Sequence, residues 1–499
     1  MAFWNYIPCV IFIITLLLWR KIWLLYYAWK IPGAFSLPLV TTVQILCAKK
    51  DTAFEILCRS LDAYRPIGKA WIGSQLYIAT MRPTDVEKIL TKCLNKSPFY
   101  DNLNDVIKNT LVTSKVDVWK KHRKIINPSF NLKILNSFHD VFVKYSREIV
   151  EFLNDGEGRE QVGLISVLWE QTFDASLVLL LLLNTILTET LTNVRPHVIK
   201  ERHNAIRAIV KIEKILIQRF YKFWLLIGFI WKLSNLHKVH QSACQTFRAI
   251  FEKIVTEAYK AHESENRNDE TIRNDPFLPH LIKLNQSKQI TREDILEETC
   301  FMVIAASETT ALTVNAVLMI LGINPDIQEK VYQELVSVLP LIEKDPTLEE
   351  IRRLDYLKRV IKETLRLCPA VPFILRYADE DINCDPYVFP AGSNMYIPII
   401  HLHKDPDVWP EPEKFDPDRF LPDEVAKRHR CSYIPFSFGA RNCIGVKYAM
   451  MSITVILATI LRRFKVHTPD LKSLKDIEWE YFVVLKPKYS RFVFEKRRF

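Results

Sequence analysis

The residues best suited to chemistry lie near the C-terminus, in the stretch Phe436-Ser437-Phe438-Gly439-Ala440-Arg441-Asn442-Cys443-Ile444-Gly445. A cysteine thiolate is a soft ligand that suits iron. An anionic ligand on one side of haem iron also pushes electron density toward the other side and favours O–O cleavage. Gly439 and Gly445 flank Cys443, and their missing Cβ atoms let a tight loop bring its backbone close to a flat ring. Arg441 carries a planar fork that matches a carboxylate such as a haem propionate. A lone cysteine is more often a small buried hydrophobe. The ten-residue pattern, not Cys443 alone, carries the metal reading.

Further groups lie upstream. Ala305-Ala306-Ser307-Glu308-Thr309-Thr310 joins small residues, which leave room over a flat cofactor, to an acid beside a hydroxyl. Glu308 and Thr309 could relay protons during oxygen reduction; alternatively, the hydroxyls bond back to their own helix. Glu363 and Arg366 are opposite charges at i, i+3 on one helix face, a pair worth under ~1 kcal/mol if exposed. Trp119 and Arg123 stand four apart on another face. Lys120, Lys121 and Lys124 beside them form a basic patch, either a docking surface or a solvated face. Arg376, in Leu375-Arg376-Tyr377, could also reach a propionate.

These groups need elements to place them. Thr291 followed by Asp294 reads as a capping box. The helical pattern after it runs to Gly322 and stops before Pro325, a length of roughly 45 Å at 1.5 Å per residue. Thr347 and Glu350 repeat the box, and Tyr356 to Leu367 is a periodic helix ended by Pro369. Val371 to Phe389 alternates and carries prolines, which predicts short strands. The leucine run 179–183 reads as a buried core helix rather than a span, because Glu170, Asp174, Glu189 and Asn184 crowd it. Residues 220–231 are aromatic and too short to span; a segment dipping into lipid headgroups and ordinary core fit them equally. Residues 262–275 read as a polar surface loop.

The chain has 499 residues, 49% of them hydrophobic, enough for a large core. Its net charge of +11 calls for an anionic partner. No basic tail or nucleic-acid motif is present, so an acidic protein or an anionic membrane is expected and nucleic acid is not. The ten cysteines are scattered, without a Cys-x-x-Cys pair, which argues against a disulfide framework and for a reducing compartment. Residues 3–19 are almost wholly apolar, at the short end of the ~17–25 residues a span needs. Arg20 and Lys21 follow, which orients the remainder to the cytosol. No small-residue cleavage site is visible, so an uncleaved anchor is expected. The division is residues 1–30 as anchor and 31–499 as catalytic domain.

Five of these stretches resemble the cytochrome P450 family, in the family's order. They are Trp119-x-x-x-Arg123, Ala305 to Thr310, Glu363-x-x-Arg366, Pro417-x-Arg419-Phe420, and Phe436-x-x-Gly439-x-Arg441-x-Cys443-x-Gly445. The texture resembles the microsomal animal type, and within it the insect family-4 group. The resemblance implies one mainly α domain with small β-sheets, an α+β fold. It implies a non-covalent haem b with Cys443 as axial thiolate and metal ligand. Phe436 would belong to the haem-binding loop; Trp119, Arg123, Arg376 and Arg441 would contact the propionates. Glu308 and Thr309 would be the proton relay, with Glu363, Arg366 and Arg419 as scaffold. Electrons would come from NADPH through NADPH-cytochrome P450 reductase, with cytochrome b5 as a second donor. The site would be the endoplasmic reticulum membrane, with the catalytic domain cytosolic. The reaction would insert one oxygen atom from O2 into a hydrophobic substrate: a fatty acid, a hormone lipid or a xenobiotic.

Two positions depart from the pattern. Ala306 stands where the family usually has glycine, so an extra methyl crowds the oxygen groove. Ala305 stands where fatty-acid ω-hydroxylases often carry a glutamate bonded to haem, so a covalent link is not expected. The alternatives are a haem-thiolate isomerase or dehydratase, against which Thr309 speaks, and a non-catalytic haem-binding membrane protein, which Ala306 keeps open.

Overall fold

The computed structural model describes residues 19, 21–33, 61–162, 164–181, 187–264, 277–481 and 483–498. Most of the expected anchor and most of the polar loop at 262–275 lie outside them. Two units form. One comprises Met1–Tyr100, Phe373–Trp409 and His429–Asn442; the other comprises Asp101–Pro372, Pro410–Arg428 and Cys443–Phe499.

The first unit is built on a four-stranded sheet of β1 (Ile67–Ile72), β2 (Gln75–Thr80), β3 (Ile374–Tyr377) and β4 (Asn394–Ile397), in the order β1-β2-β4-β3. β2 and β4 pair in parallel and the other neighbours are antiparallel. The strands predicted between Val371 and Phe389 are therefore present, as β3 and a small hairpin of Ile382–Cys384 with Tyr387–Phe389. Helix α1 (Pro83–Lys92) follows β2. Its proline occupies the first turn, where no intrahelical N–H is required, and Asp85 faces the positive helix end. Val86, Ile89 and Leu90 turn inward.

The second unit is helical: α2 (Val116–Ile126), α3 (His139–Asp155), α4 (Leu164–Leu181), α5 (Leu187–Tyr221), α6 (Asn235–Ser264), α7 (Arg292–Ile323), α8 (Asp355–Leu367) and α9 (Val446–Leu461). α7 starts at the predicted box: Thr291 caps the Asp294 amide, and the Asp294 side chain returns to the Thr291 amide. It is apolar on all sides and buried along most of its length, as a central helix must be. α4 packs on it, and Thr172 Oγ1 donates to the Ser307 carbonyl at 2.9 Å. Two strands, β5 (Trp479–Tyr481) and β6 (Leu485–Pro487), form an antiparallel hairpin, and a three-stranded sheet joins Glu160–Val162, Arg491–Lys496 and Phe464–His467. The architecture is α+β with small sheets, as expected.

Among the described residues α7 is the one helix long and apolar enough to cross a membrane, and 78% of that stretch is buried inside the protein. It is a core helix. Residues 220–231 divide between the two expectations. Leu225 and Trp231 are core, whereas Trp224, Ile227, Phe229 and, just beyond, Leu233 point outward. A short 3-10 turn at Phe223–Leu226 and a helix at Gly228–Leu233 each present one buried residue and at least one exposed one.

Candidate active site

All seven described cysteines are free. Burial pushes the thiols of Cys93, Cys244, Cys384 and Cys431 up to about 12, and that of Cys300 well above its ordinary value. Those five are inert hydrophobes. Cys443 differs in its surroundings. It is exposed, although the neighbouring protein raises its thiol. The Gly445 amide donates to the sulfur and the Arg123 guanidinium draws its charge the other way from burial. α9 begins three residues later, which places the sulfur near a positive helix end. A Cβ at Gly445 would lie 3.8 Å from Sγ, in ordinary contact with it.

The other loop glycine is fixed by sterics. Gly439 has φ +76°, and a Cβ there would lie 2.6 Å from the Leu90 carbonyl oxygen of α1. Ser437, two residues earlier, also adopts a left-handed φ of 62°, a conformation that costs of order 1–3 kcal/mol outside glycine and gathers at functional sites. Phe436 is half-buried beside it. Gly439→Ala is expected to lower stability by at least ~2 kcal/mol, because left-handed strain and a backbone clash add. Chemical denaturation monitored by circular dichroism checks this, with Ala440→Ser, at an exposed neighbour, as the neutral control.

In the second unit, α2 carries Trp119, buried, and Arg123, half-buried one turn on. Burial lowers the Arg123 guanidinium while the Cys443 charge raises it, so the two groups lie within electrostatic reach. Lys120, Lys121 and Lys124 occupy the exposed side of the same helix. His122 turns inward and bonds Glu298 of α7 at 2.7 Å, which pins α2 to the central helix.

α7 opens at one stripe in its middle. Phe301, Ala305 and Thr309 are half-buried, four residues apart, on a helix otherwise buried there; Ile304 and Ala306 border them. Thr309 Oγ1 donates to the Ala305 carbonyl at 2.8 Å, and Ser307 and Thr313 bond back in the same way. Glu308, next to the stripe, is buried and ion-paired with Lys486 of β6. The predicted relay acid thus already has a cationic partner.

Glu363 and Arg366 of α8 are fully buried, and they form a two-pronged pair with Nε–Oε2 2.7 Å and Nη2–Oε1 2.8 Å. The Asp416 amide donates to Glu363 at 2.9 Å, and Arg419 Nε lies 3.6 Å from the same carboxylate. Arg366 donates to the Lys414 carbonyl at 3.2 Å and Arg419 to the Glu411 carbonyl at 2.9 Å. The three residues named from the sequence meet at one point and grip the backbone of 411–416.

The first unit holds a cluster of positive charge. Arg376 and Arg441 are buried. Lys96 lies close enough that burial and then the charges of Arg376 and Arg441 hold its ammonium well below the usual range. Burial and Arg376 press Arg441 down to about 10. The Arg376 guanidinium feels only Tyr100 and Cys93 in return, and its Nε has no hydrogen-bond partner among the described residues. Arg376 and Arg441 are buried with the half-buried Lys96 beside them, and gathering like charges out of water is costly unless an anion answers them. An anionic group such as a pair of propionates answers that charge, so the residues fit a haem. Sequence reasoning gave Lys96 no role at the site; its place beside two arginines reveals it.

A mainly helical fold with small sheets, an exposed cysteine just before a helix start and a central helix with a half-buried stripe is the pattern of a haem-thiolate oxidoreductase. The chain belongs to the cytochrome P450 family, whose model matches residues 31–493. It is similar to cytochrome P450 4c21 of Blattella germanica, at 31% identity over 89% of each chain. It is also similar to cytochrome P450 4c3 of Drosophila melanogaster, at 31% identity over 94% of this chain and 89% of that one. Human cytochrome P450 4V2 is 29% identical over 93% of this chain and 89% of its own. The protein is therefore a haem-dependent monooxygenase.

Proposed function

We propose that the protein inserts one oxygen atom from O2 into a hydrophobic substrate at the endoplasmic reticulum membrane, with electrons delivered from NADPH by NADPH-cytochrome P450 reductase. The observation that carries this is Cys443: exposed, bonded by the Gly445 amide and within electrostatic reach of Arg123.

Bound haem supplies the activation of dioxygen. The chain's own residues do the rest. Cys443 would ligate its iron. Arg376, Arg441 and Lys96 would hold propionate oxygens, and the family resemblance gives Trp119 and Arg123 the same role. Glu308 holds a proton-accepting carboxylate beside the α7 stripe. Thr309 passes protons once its hydroxyl leaves the Ala305 carbonyl. The Glu363–Arg366–Arg419 cluster keeps the 411–416 backbone in place. Hydrophobic substrates fit the apolar stripe of Phe301, Ile304 and Ala305.

Exposed Trp224, Ile227, Phe229 and Leu233 support a segment that enters the membrane surface. Exposed Lys120, Lys121 and Lys124 support docking of an acidic electron donor, the reductase or cytochrome b5. The test is reconstitution of the full chain with the reductase in vesicles. The expected result is a thiolate-type reduced-CO spectrum together with NADPH consumption that rises when a hydrophobic substrate is added. That spectrum without consumption from any donor would overturn the reading.

A further inference from the structure

α5, α7 and β6 bring together three ionisable side chains that the chemistry above uses only in part. Lys486 Nζ donates to Glu213 Oε2 at 2.6 Å and is ion-paired with Glu308. Held by the same ammonium, the two carboxyls lie close enough to hydrogen-bond once one of them is protonated. Trp169 of α4 sets an aromatic floor, its ring centroid 5.0 Å from the ammonium. Openness falls across the cluster: the side chains of Lys486 and Glu213 keep 26% and 22% of their surface, that of Glu308 only 6%. Glu213 is the outer acid and Glu308 the inner one.

Two carboxyls share one ammonium. Ionised together, they would leave a negative charge uncompensated away from water, which is costly. A hydrogen bond between two carboxyls also needs a proton on one of them. The cluster therefore keeps a proton. Glu213 is its seat, since burial and then the Glu308 charge lift that carboxyl to about 8, against the pull of Lys486. The other helices add little. α4 contributes Trp169, and α6, packed along α5, pairs its Lys253 with Glu201, 12 residues up the helix and so roughly 18 Å away. Lys211 and Lys214 of α5 are exposed.

We propose that Glu213 is a proton store for Glu308, and that Lys486 is the positioning residue that holds the two carboxyls together. The proposal rests on Glu308 being the acid of the proton relay. In the step, the proton leaves a Glu213 oxygen and crosses the shared hydrogen bond to Glu308. Glu213 becomes the carboxylate, Glu308 the neutral acid, Lys486 stays an ammonium, and the total charge is unchanged. Water at the open side then reloads Glu213.

The test uses the full, haem-loaded chain. Infrared titration of the resting protein is expected to show a protonated carboxyl that disappears with a midpoint near pH 8. Glu213→Gln should remove that signal at pH 7, Glu213→Asp should restore it, and Lys486→Met should move the midpoint upward, because the cation that favours ionisation is gone. During turnover, Glu213→Gln should release several-fold more of its electrons as peroxide and lose the pH dependence of that leak. No protonated carboxyl in the wild type, or a signal and leak unchanged in Glu213→Gln, would overturn the proposal. An unmoved midpoint in Lys486→Met would overturn the positioning role. The infrared measurement reads the proton whether or not the chain turns over. A silent enzyme therefore counts against the monooxygenase reading, and a missing acid against this one.

Discussion

Cys443→Ala is expected to abolish the thiolate-type absorption of the reduced, CO-bound protein completely. No other described cysteine can substitute: five have thiols held up by burial, and Cys368 is buried too. The Cys443 position offers what a thiolate needs. It has an amide donor from Gly445, a nearby guanidinium, and the start of α9, whose partial charge is worth ~0.3–1 kcal/mol to an anion. Cys443→His sharpens the test. A neutral nitrogen ligand is expected to keep some haem but shift its spectrum to the nitrogen-ligated type and stop oxygen insertion, because the electron-rich ligand that favours O–O cleavage is lost. An unchanged thiolate spectrum in Cys443→Ala would place the ligand elsewhere.

The second large effect belongs to α8. Glu363→Ala or Arg366→Ala is expected to lower stability by about 3–5 kcal/mol, since either leaves a buried charge without its partner. A typical buried pair can be replaced as a unit by apolar residues at little cost. This one cannot. Glu363 also accepts from the Asp416 amide and faces Arg419, and Arg366 also binds the Lys414 carbonyl. The double variant Glu363→Leu/Arg366→Met should therefore remain destabilised, with those polar groups stranded. Urea unfolding midpoints and the haem content of the purified protein measure both effects. A double variant as stable as wild type would show that the pair holds only itself.

Parts of this organisation are legible in the sequence because local rules set them. The capping boxes at Thr291 and Thr347 form as read. α7 ends where Pro325 begins the next helix, and Glu363 meets Arg366 because i, i+3 spacing on a helix leaves no other geometry. The segment 220–231 was ambiguous for a physical reason: its apolar residues alternate between core and surface within one turn, so composition alone cannot sort them. Lys96, Glu213 and Lys486 were invisible. Each gains its place at the site only from partners hundreds of residues away, Arg376 for the first and Lys486 with Glu213 across the chain. Ala306 borders the half-buried stripe of α7, where its methyl adds bulk that a glycine would not.

That stripe also governs how the catalyst could be retuned. Phe301 and Ala305 stand one turn apart, about 6 Å along the axis, while the helix's opposite sides are locked in the core. Exchanging bulk between the two positions would slide the available volume by one turn and leave the packing behind it untouched. The carbon presented for oxidation should then be selectable in helical increments rather than by rebuilding the whole cavity.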